Sequence, residues 1–599
     1  MVQGTFCFFF LLALFLCSLS LCLSPPSSSP VRFLLFTNMA ATYDGPRSKV
    51  AETVRKAYAF AWRGDPKSAQ DLLQNPGKDL WLSVGKAQIL FSIAMGTGRD
   101  EDLATARTEL DRAEKISVEV MEANKPDQGL VSVFKSFTFG ESKGEDMTPE
   151  QRKKLWNYFS SLIAQAELTL NKLSLCIKER QWMTIGIKAR SSWKFYEEAE
   201  EVWQKIKAGG ETVLDEADRL EEIDVLSRLE FGIGLYHFFV SLVPPGLLLI
   251  VEAIGFEANR ENGIKYLKSS VQREGIHYVT SSLLMVGYHN FFMQEDEPAN
   301  KYIDHLLSKG YETAPAVRLM VGTVYRRQGR ISDAINSYQM GMKGVRDQEQ
   351  VTLILDCELG NTYFLDGNWE QAAALFDRFV TNTTNRQYKC FSMWKLGFCW
   401  WMMKVPNRDQ KVKEINEKVI KIADDRFAYE KYSGRIAKRF LDRGKYTEFD
   451  ELWLHAWSYN QASRFEDSTA ILQKAVDVVK AQDESRLPLA MVECVGLCLY
   501  LKMSNFNGMD QLSDASESLQ KLLKIQNEIV DELWVVPHAY VEMGELYLKR
   551  ALKGVEVANM YKKARICFDR ASSFSNFDFE RPLSFRIARG RDLLRGAPA

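Results

Sequence analysis

Two stretches beyond residue 310 repeat one another, and that repetition restricts the fold more than any other feature. Leu319, Gly322, Tyr325, Gly329, Ala334 and Tyr338 recur as Leu359 or its neighbour, Gly360, Tyr363, Gly367, Ala372 and Phe376. From the first glycine onward the offsets are the same in both copies. A small residue on one helix lets a second helix pack close, a glycine breaks the chain between them, and a small residue on the second accepts an aromatic from the first. Such a pair cannot bury its apolar face alone and must stack on neighbours. A third copy starts at Met393, Leu396, Gly397 and Trp400, with its second helix displaced by the Pro406 loop. A fourth is legible at Ala456, Tyr459, Leu472 and Ala475. The last has Gly544 and Tyr547 on one helix and Ala564, Phe568 and Ala571 on its partner, across a longer turn. The expected fold is all-α, an α-solenoid of antiparallel helix pairs. The plain alternative is a non-repetitive helical bundle with two clean repeats inside it.

The pattern is that of the tetratricopeptide repeat, with more than the usual ~34 residues between units, so the helices are long or the connections extended. Ahead of it, helices are expected over Val50–Trp62, Trp81–Met95, Leu103–Ala123, Leu155–Ile177 and Ile185–Ile206, with an exposed loop at Phe139–Glu150 and a break at Gly209-Gly210. No alternating strand pattern bounded by hairpin turns is seen.

The apolar run Phe231–Phe256 is long enough to span a membrane, which takes about 20 apolar residues. Pro244-Pro245 divides it. Neither proline donates a backbone hydrogen bond, and Pro244 forces Val243 out of the helical region. The run is therefore read as a buried helical hairpin, one helix ending near Leu242 and the next starting at Pro245, with Gly232 and Gly234 letting neighbours approach. A helix apolar all round must be covered by others.

Three segments are expected: a hydrophobic leader with a Ser/Pro linker over residues 1–38, which is not part of the fold; a helical half over 50–256 that ends in the Pro-Pro hairpin; and a repeat solenoid with a capping helix over 257–595. The leader contains FCFFFLLALFLCSLSLCL with no Lys or Arg before it, whereas secretory signals usually carry one. Met39 opens a second, ordinary beginning. An upstream extension and a true signal or anchor both stand as readings. Outside the leader, Cys176, Cys357, Cys390, Cys399, Cys494, Cys498 and Cys567 are an odd number on helix faces, which suits buried reduced thiols and a cytoplasmic protein. A net charge of -1 gives no electrostatic reason to expect nucleic acid.

EFGIGLYHFFVSLVPPGLLLIVEAIGFEANRENGIKYL (Glu230–Leu267), IKARSSWKFYEEAEEVW (Ile187–Trp203) and FDFERPLSFRIARGRDLL (Phe577–Leu594) resemble the tetratricopeptide repeat protein 39 family, including its fungal inclusion-body clearance relatives. The likeness runs over about residues 50–595. It implies an intracellular, non-enzymatic adaptor or scaffold that binds protein partners, with some members tied to lipid metabolism or lipid droplets. The leader departs from that picture.

Chemistry is harder to find. The six histidines form no metal-spaced pair, no phosphate loop or nucleophile elbow occurs, and acidic clusters such as Glu197-Glu198 and Glu200-Glu201 suit a solvated face. No catalytic residue, metal or cofactor is expected. In repeats of this type the concave side takes residues three before, one after and four after the first-helix glycine. That points to Leu319, Thr323 and Arg326, to Cys357, Asn361 and Phe364, and to Trp394, Phe398 and Trp401. Arg326, Asn361, Phe364, Trp394, Phe398 and Trp401 are the candidate partner-binding groove, with burial between helices as the competing reading. Leu319 and Thr323 stand where a chaperone-tail carboxylate clamp needs Lys and Asn. The tail arginines Arg581, Arg586, Arg589, Arg591 and Arg595 suit a capping helix with its arginines in water, or a basic helix on an anionic membrane. The function expected is a protein-binding scaffold, the first alternative a membrane- or lipid-droplet-associated regulator of lipid homeostasis, and the second an enzyme with an unrecognised site.

Overall fold

In a computed structural model of the chain, the described residues are 47–126, 148–178, 181–208, 218–241, 259–346, 348–383, 386–425, 427–481 and 487–595. The leader, the Gly209-Gly210 break, the Pro244-Pro245 turn with the second hairpin helix, and residues 139–147 of the expected loop lie outside them. Among the described residues there are α-helices and two short π-helical turns but no strand. They form two compact units, residues 47–320 with 340–352, and residues 321–339 with 353–595.

The first unit opens with α1 (Arg47–Trp62), α2 (Pro66–Leu72), α3 (Leu80–Thr97) and α4 (Asp100–Asn124). It continues with α5 (Pro149–Lys178), α6 (Trp182–Ala208), α7 (Arg219–Val240), α8 (Arg260–Arg273), α9 (Tyr278–Gly287) and α10 (Asp296–Leu306). The expected helical stretches each fall inside one of these. Their starts have local causes. Asp65 accepts from the Ser68 amide with Pro66 in the first turn, and Asp79 accepts from the Leu82 amide at 2.9 Å, satisfying amides that the first turn leaves unpaired.

α7 is the first half of the apolar run, and it is buried almost continuously from Asp224 to Val240. Helices α8, α1, α6 and α5 pack around it, covering the charge-free part from Phe231 onward, while Glu221, Asp224 and Glu230 nearer its start pair with Arg47, Arg55 and Arg273. Its glycines allow the approach. A methyl group at Gly263 on α8 would sit 2.7 Å from the Phe238 backbone nitrogen, and one at Gly234 would sit 3.0 Å from the Gly263 carbonyl. Gly232 instead makes room for the Tyr196 ring.

An ionic cluster is buried in the same unit. The Arg228 guanidinium pairs with Glu167 and lies 4.6 Å over the Trp81 ring. Glu167 also takes His277 Nε2 at 2.7 Å and Gln88 Nε2 at 3.0 Å. Burial by itself raises the Glu167 carboxyl, but Arg228 and His277 outweigh it and hold the group down at about 2.

The second unit contains the repeats. Its helices, some beginning or ending across the boundary, are α11 (Pro315–Arg327), α12 (Ile331–Gly344), α13 (Glu349–Asp366), α14 (Trp369–Asn382), α15 (Arg386–Met403) and α16 (Arg408–Ile422). They are followed by α17 (Ala428–Arg443), α18 (Glu448–Gln461), α19 (Phe465–Lys480), α20 (Met491–Gly508), α21 (Leu512–Ile525), α22 (Val535–Leu552), α23 (Val557–Ala571) and α24 (Glu580–Leu594). Consecutive helices pack as pairs, α14 on α15, α18 on α19, α20 on α21 and α22 on α23 among them.

The repeated residues do what their chemistry suggests. A methyl group at Gly322 would lie 2.6 Å from the Tyr338 ring, and one at Gly360 would lie 3.2 Å from Phe376. At Gly544 it would lie 3.0 Å from Phe568. Gly329 and Gly367 hold φ of +75° and +77°, a left-handed turn that glycine enters without strain. In the third copy Ile415, not an aromatic, fills the space over Gly397, because the Pro406 loop shifts α16 along.

Replacement of Glu167 by Gln leaves Arg228 buried without its counter-charge, and the expected loss is about 3–5 kcal/mol at pH 7. A carboxyl held below its ordinary value of 4.5 stabilises the fold above that value and ceases to do so as the pH falls toward 2. The deficit of Glu167→Gln in urea melts is therefore expected to shrink between pH 4.5 and 2, and a deficit constant with pH would contradict the assignment.

Candidate functional site

The candidate groove residues lie on the first helices of successive pairs. All six are buried: Trp394, Phe364 and Phe398 almost completely, and Arg326, Asn361 and Trp401 nearly so. Each is engaged by a neighbouring helix. Phe364 on α13 meets Phe376 and Trp369 of α14 and Phe398 of α15, with ring centroids 6.3, 5.2 and 5.9 Å apart. Trp394 meets Tyr432 of α17 at 6.0 Å, and Trp401 meets Phe440 at 5.7 Å. The aromatics the sequence places on the first-helix face thus pack between helices.

The polar members do more. Arg326 on α11 donates to Glu358 Oε2 on α13 at 2.5 Å and to the Glu358 carbonyl at 3.1 Å. Asn361 on α13 accepts from Lys395 Nζ on α15 at 2.7 Å. Trp401 on α15 donates from Nε1 to Glu451 Oε1 on α18 at 2.5 Å. The series continues through residues that the repeat pattern does not mark. Asn460 on α18 donates to Ser504 and Asn505 on α20, at 3.1 and 2.8 Å. Asn507 on α20 donates to Glu542 Oε2 on α22 at 2.7 Å. Arg586 on α24 donates to Glu542 and Glu545 on α22, at 2.8 and 2.5 Å. Six junctions, joining the first helices α11, α13, α15, α18, α20 and α22 and then the cap α24, are each closed by a polar bond, buried at five of them and half-buried at Trp401–Glu451.

This corrects the expectation for the tail. α24 does cap the array, packing on α22 and α23, and Arg591 and Arg595 are exposed. Arg586 and Arg589, however, are buried against Glu545, and neither stands in water or is open to a membrane. A glutamate pair one helical turn apart on α22 supplies two carboxylates, and a bidentate guanidinium is the side chain best shaped to meet them. Glu542 and Glu545 lie 44 and 41 residues from Arg586 in sequence, too far apart for spacing to pair them.

Lys395 is the most constrained member. It is fully buried, and its Nζ lies 4.4 Å from the Phe391 ring centre and 5.0 Å from that of Phe364. Burial pulls its ammonium down to about 7, and nearby Arg326 pushes the same way. Cys357 lies close, but burial pushes its thiol up to about 12, so near neutrality it brings no charge. Glu358 is already held by Arg326.

The described cysteines are buried free thiols. Among the described residues no group of His, Cys, Asp and Glu is arranged to hold a metal ion, and no helix is long and apolar enough to cross a membrane. Glu197, Glu198 and Glu201 are exposed.

Lys395 predicts its own pH dependence. An unfolded lysine titrates near 10.5 and this one near 7, so the unfolded chain binds more protons between those values and stability rises with pH across them. Lys395→Met removes the buried charge at similar volume. Its denaturation midpoint is expected to exceed that of the parent most at pH 7, with the gain shrinking toward pH 10. A gain that does not change with pH would mean that burial does not lower the Lys395 ammonium in the fold.

Comparison with known proteins places this architecture. The family model described as Iml2/Tetratricopeptide repeat protein 39 matches residues 65–486. The chain is also similar to "Tetratricopeptide repeat protein ttc-39B" of Caenorhabditis elegans, 20% identical over 528 residues that cover 85% of this chain and 86% of that protein. With helix pairs in tetratricopeptide register and a family match over most of its length, the chain belongs to the Iml2/Tetratricopeptide repeat protein 39 family.

Proposed function

We propose that this chain is a non-catalytic scaffold in the cytoplasm that binds protein partners on the first-helix face of residues 321–339 and 353–595. One observation carries the reading: the first helices α11, α13, α15, α18, α20 and α22 and the cap α24 are joined in series by buried or half-buried polar bonds. A surface built on rigid, mutually fixed helices holds side chains in the narrow geometry that recognition needs, and its family uses such repeats. Arg326, Asn361, Phe364, Trp394, Phe398 and Trp401 act from beneath that surface. They set the spacing and tilt of the helices whose outer side chains meet the partner. The seven buried thiols suit a reducing compartment.

Three measurements test this. Trp401→Phe keeps an aromatic ring and removes the bond to Glu451, so helical content is expected to stay the same while the affinity for a captured partner falls several-fold. Cross-links to that partner should fall on the first helices. Unchanged affinity, or cross-links confined elsewhere, would overturn the placement. Separately, alkylation in denaturant of protein taken from cells should label all seven thiols, and disulfide-linked peptides among them would contradict the compartment.

A further inference from the structure

The turn of the last repeat pair is longer than the fold requires. Ala334 follows Gly322 by 12 residues and Ala372 follows Gly360 by 12, but Ala564 follows Gly544 by 20. The extra eight residues prolong both helices. α22 runs to Leu552, eight residues past its glycine, where α11 stops five past Gly322. α23 starts seven residues before its alanine, where α12 starts three before Ala334. At 1.5 Å per residue this carries the connection roughly 5 Å beyond an ordinary repeat turn. Every residue from Leu552 to Asn559 is exposed.

The composition of this projection is unusual. Leu552, Val555 and Val557 are 61, 42 and 36% exposed, three of the large apolar side chains that the described surface leaves open. Behind them stand Lys549, Arg550, Lys553, Lys562, Lys563 and Arg565, against the single acid Glu556 within the same span. Asp510 on the preceding turn offsets part of this, pairing with Arg550 at 3.2 Å and Lys553 at 3.1 Å. The remaining excess is still four positive charges, in a chain whose total is -1. Lys549 lies one turn behind Leu552, and Lys562 and Lys563 lie five and six residues behind Val557, which is about 5–9 Å along the helices. An interfacial segment buries its apolar side about 5–10 Å into the headgroup boundary, with basic residues at the level of anionic headgroups.

We propose that the α22–α23 tip, with Leu552, Val555 and Val557 leading and Lys549, Lys562 and Lys563 behind, docks this protein on the surface of an anionic phospholipid bilayer. A convex apex of eight exposed residues suits a deformable lipid interface better than the flat, closely packed patch of a protein partner. The docking is peripheral and electrostatically assisted, so salt weakens it.

The test uses the full chain and sedimentation with phosphatidylcholine vesicles containing either no phosphatidylserine or about 30% of it. The expected result is partition that needs phosphatidylserine and falls with salt. Leu552→Ser with Val555→Ser, and separately Lys549→Glu with Lys562→Glu, should each reduce it about tenfold or more, while Ile420→Ser, an apolar residue exposed elsewhere, should leave it unchanged. All these positions are exposed, so the fold is not at risk. An environment-sensitive fluorophore on Asn559→Cys, read against the unsubstituted chain labelled alongside, should brighten and shift to the blue on phosphatidylserine vesicles. Partition indifferent to phosphatidylserine or to both double variants, a silent fluorophore, or retention by soluble polyglutamate without vesicle binding would each overturn the proposal.

Discussion

The repeat unit depends on a requirement that apolar packing cannot meet: buried polar side chains on one first helix must find partners on the next. A buried donor or acceptor left unpaired costs about 1–3 kcal/mol, and a charged one costs more. Leucines and phenylalanines attract one another over a range of sliding and tilt. The Arg326–Glu358, Lys395–Asn361, Trp401–Glu451 and Arg586–Glu545 contacts do not, because a shift of one residue would strand both members. The apolar core of the unit thus supplies attraction, and the polar series supplies position. An ion pair in such a place is weak evidence for stability and better evidence for registration.

The other unit solves a similar problem with different means. Gly234 and Gly263 set how near α7 and α8 come, and the buried Arg228, Glu167 and His277 cluster draws together α5, α7 and the segment before α9. Here contact distance is fixed by missing side chains and orientation by a charged group reaching across. α7 can therefore be covered on every side and still have one place to sit.

Much of this was legible in the residues. The helix pairs, the turn glycines at 329 and 367 and the close packing of an aromatic on Gly322, Gly360 and Gly544 follow from chemistry within about twenty-five residues, which a linear reading sees. The register also persists where it was not read. Ser463 and Asp510 take the left-handed turn position that glycine holds in the first two copies, with φ of 59° at each, so the α20–α21 pair carries no glycine signal at that point. The polar series was hidden for another reason. Its members lie some thirty to fifty residues apart, and Glu358, Lys395, Glu542 and Arg586 are residue types found mostly at surfaces. Burial of Arg586 and Arg589 against α22 overturned their reading as solvated. The candidate groove residues were located on the right helices, but their engagement by neighbours depends on side-chain reach between pairs, which spacing does not reveal.

The six junctions differ in chemistry, only the first and the last sharing a guanidinium–carboxylate pairing. One is guanidinium to carboxylate, one ammonium to amide, one indole to carboxylate, one amide to hydroxyl and amide, one amide to carboxylate, and the last a guanidinium between two carboxylates. In consensus arrays identical modules stack interchangeably, and such proteins grow or shrink by gaining or losing copies. Here a duplicated or deleted module would set an arginine against an amide or a tryptophan against an arginine. Unequal crossing-over would thereby leave mismatched polar groups buried at the new boundary, each costing about 1–3 kcal/mol.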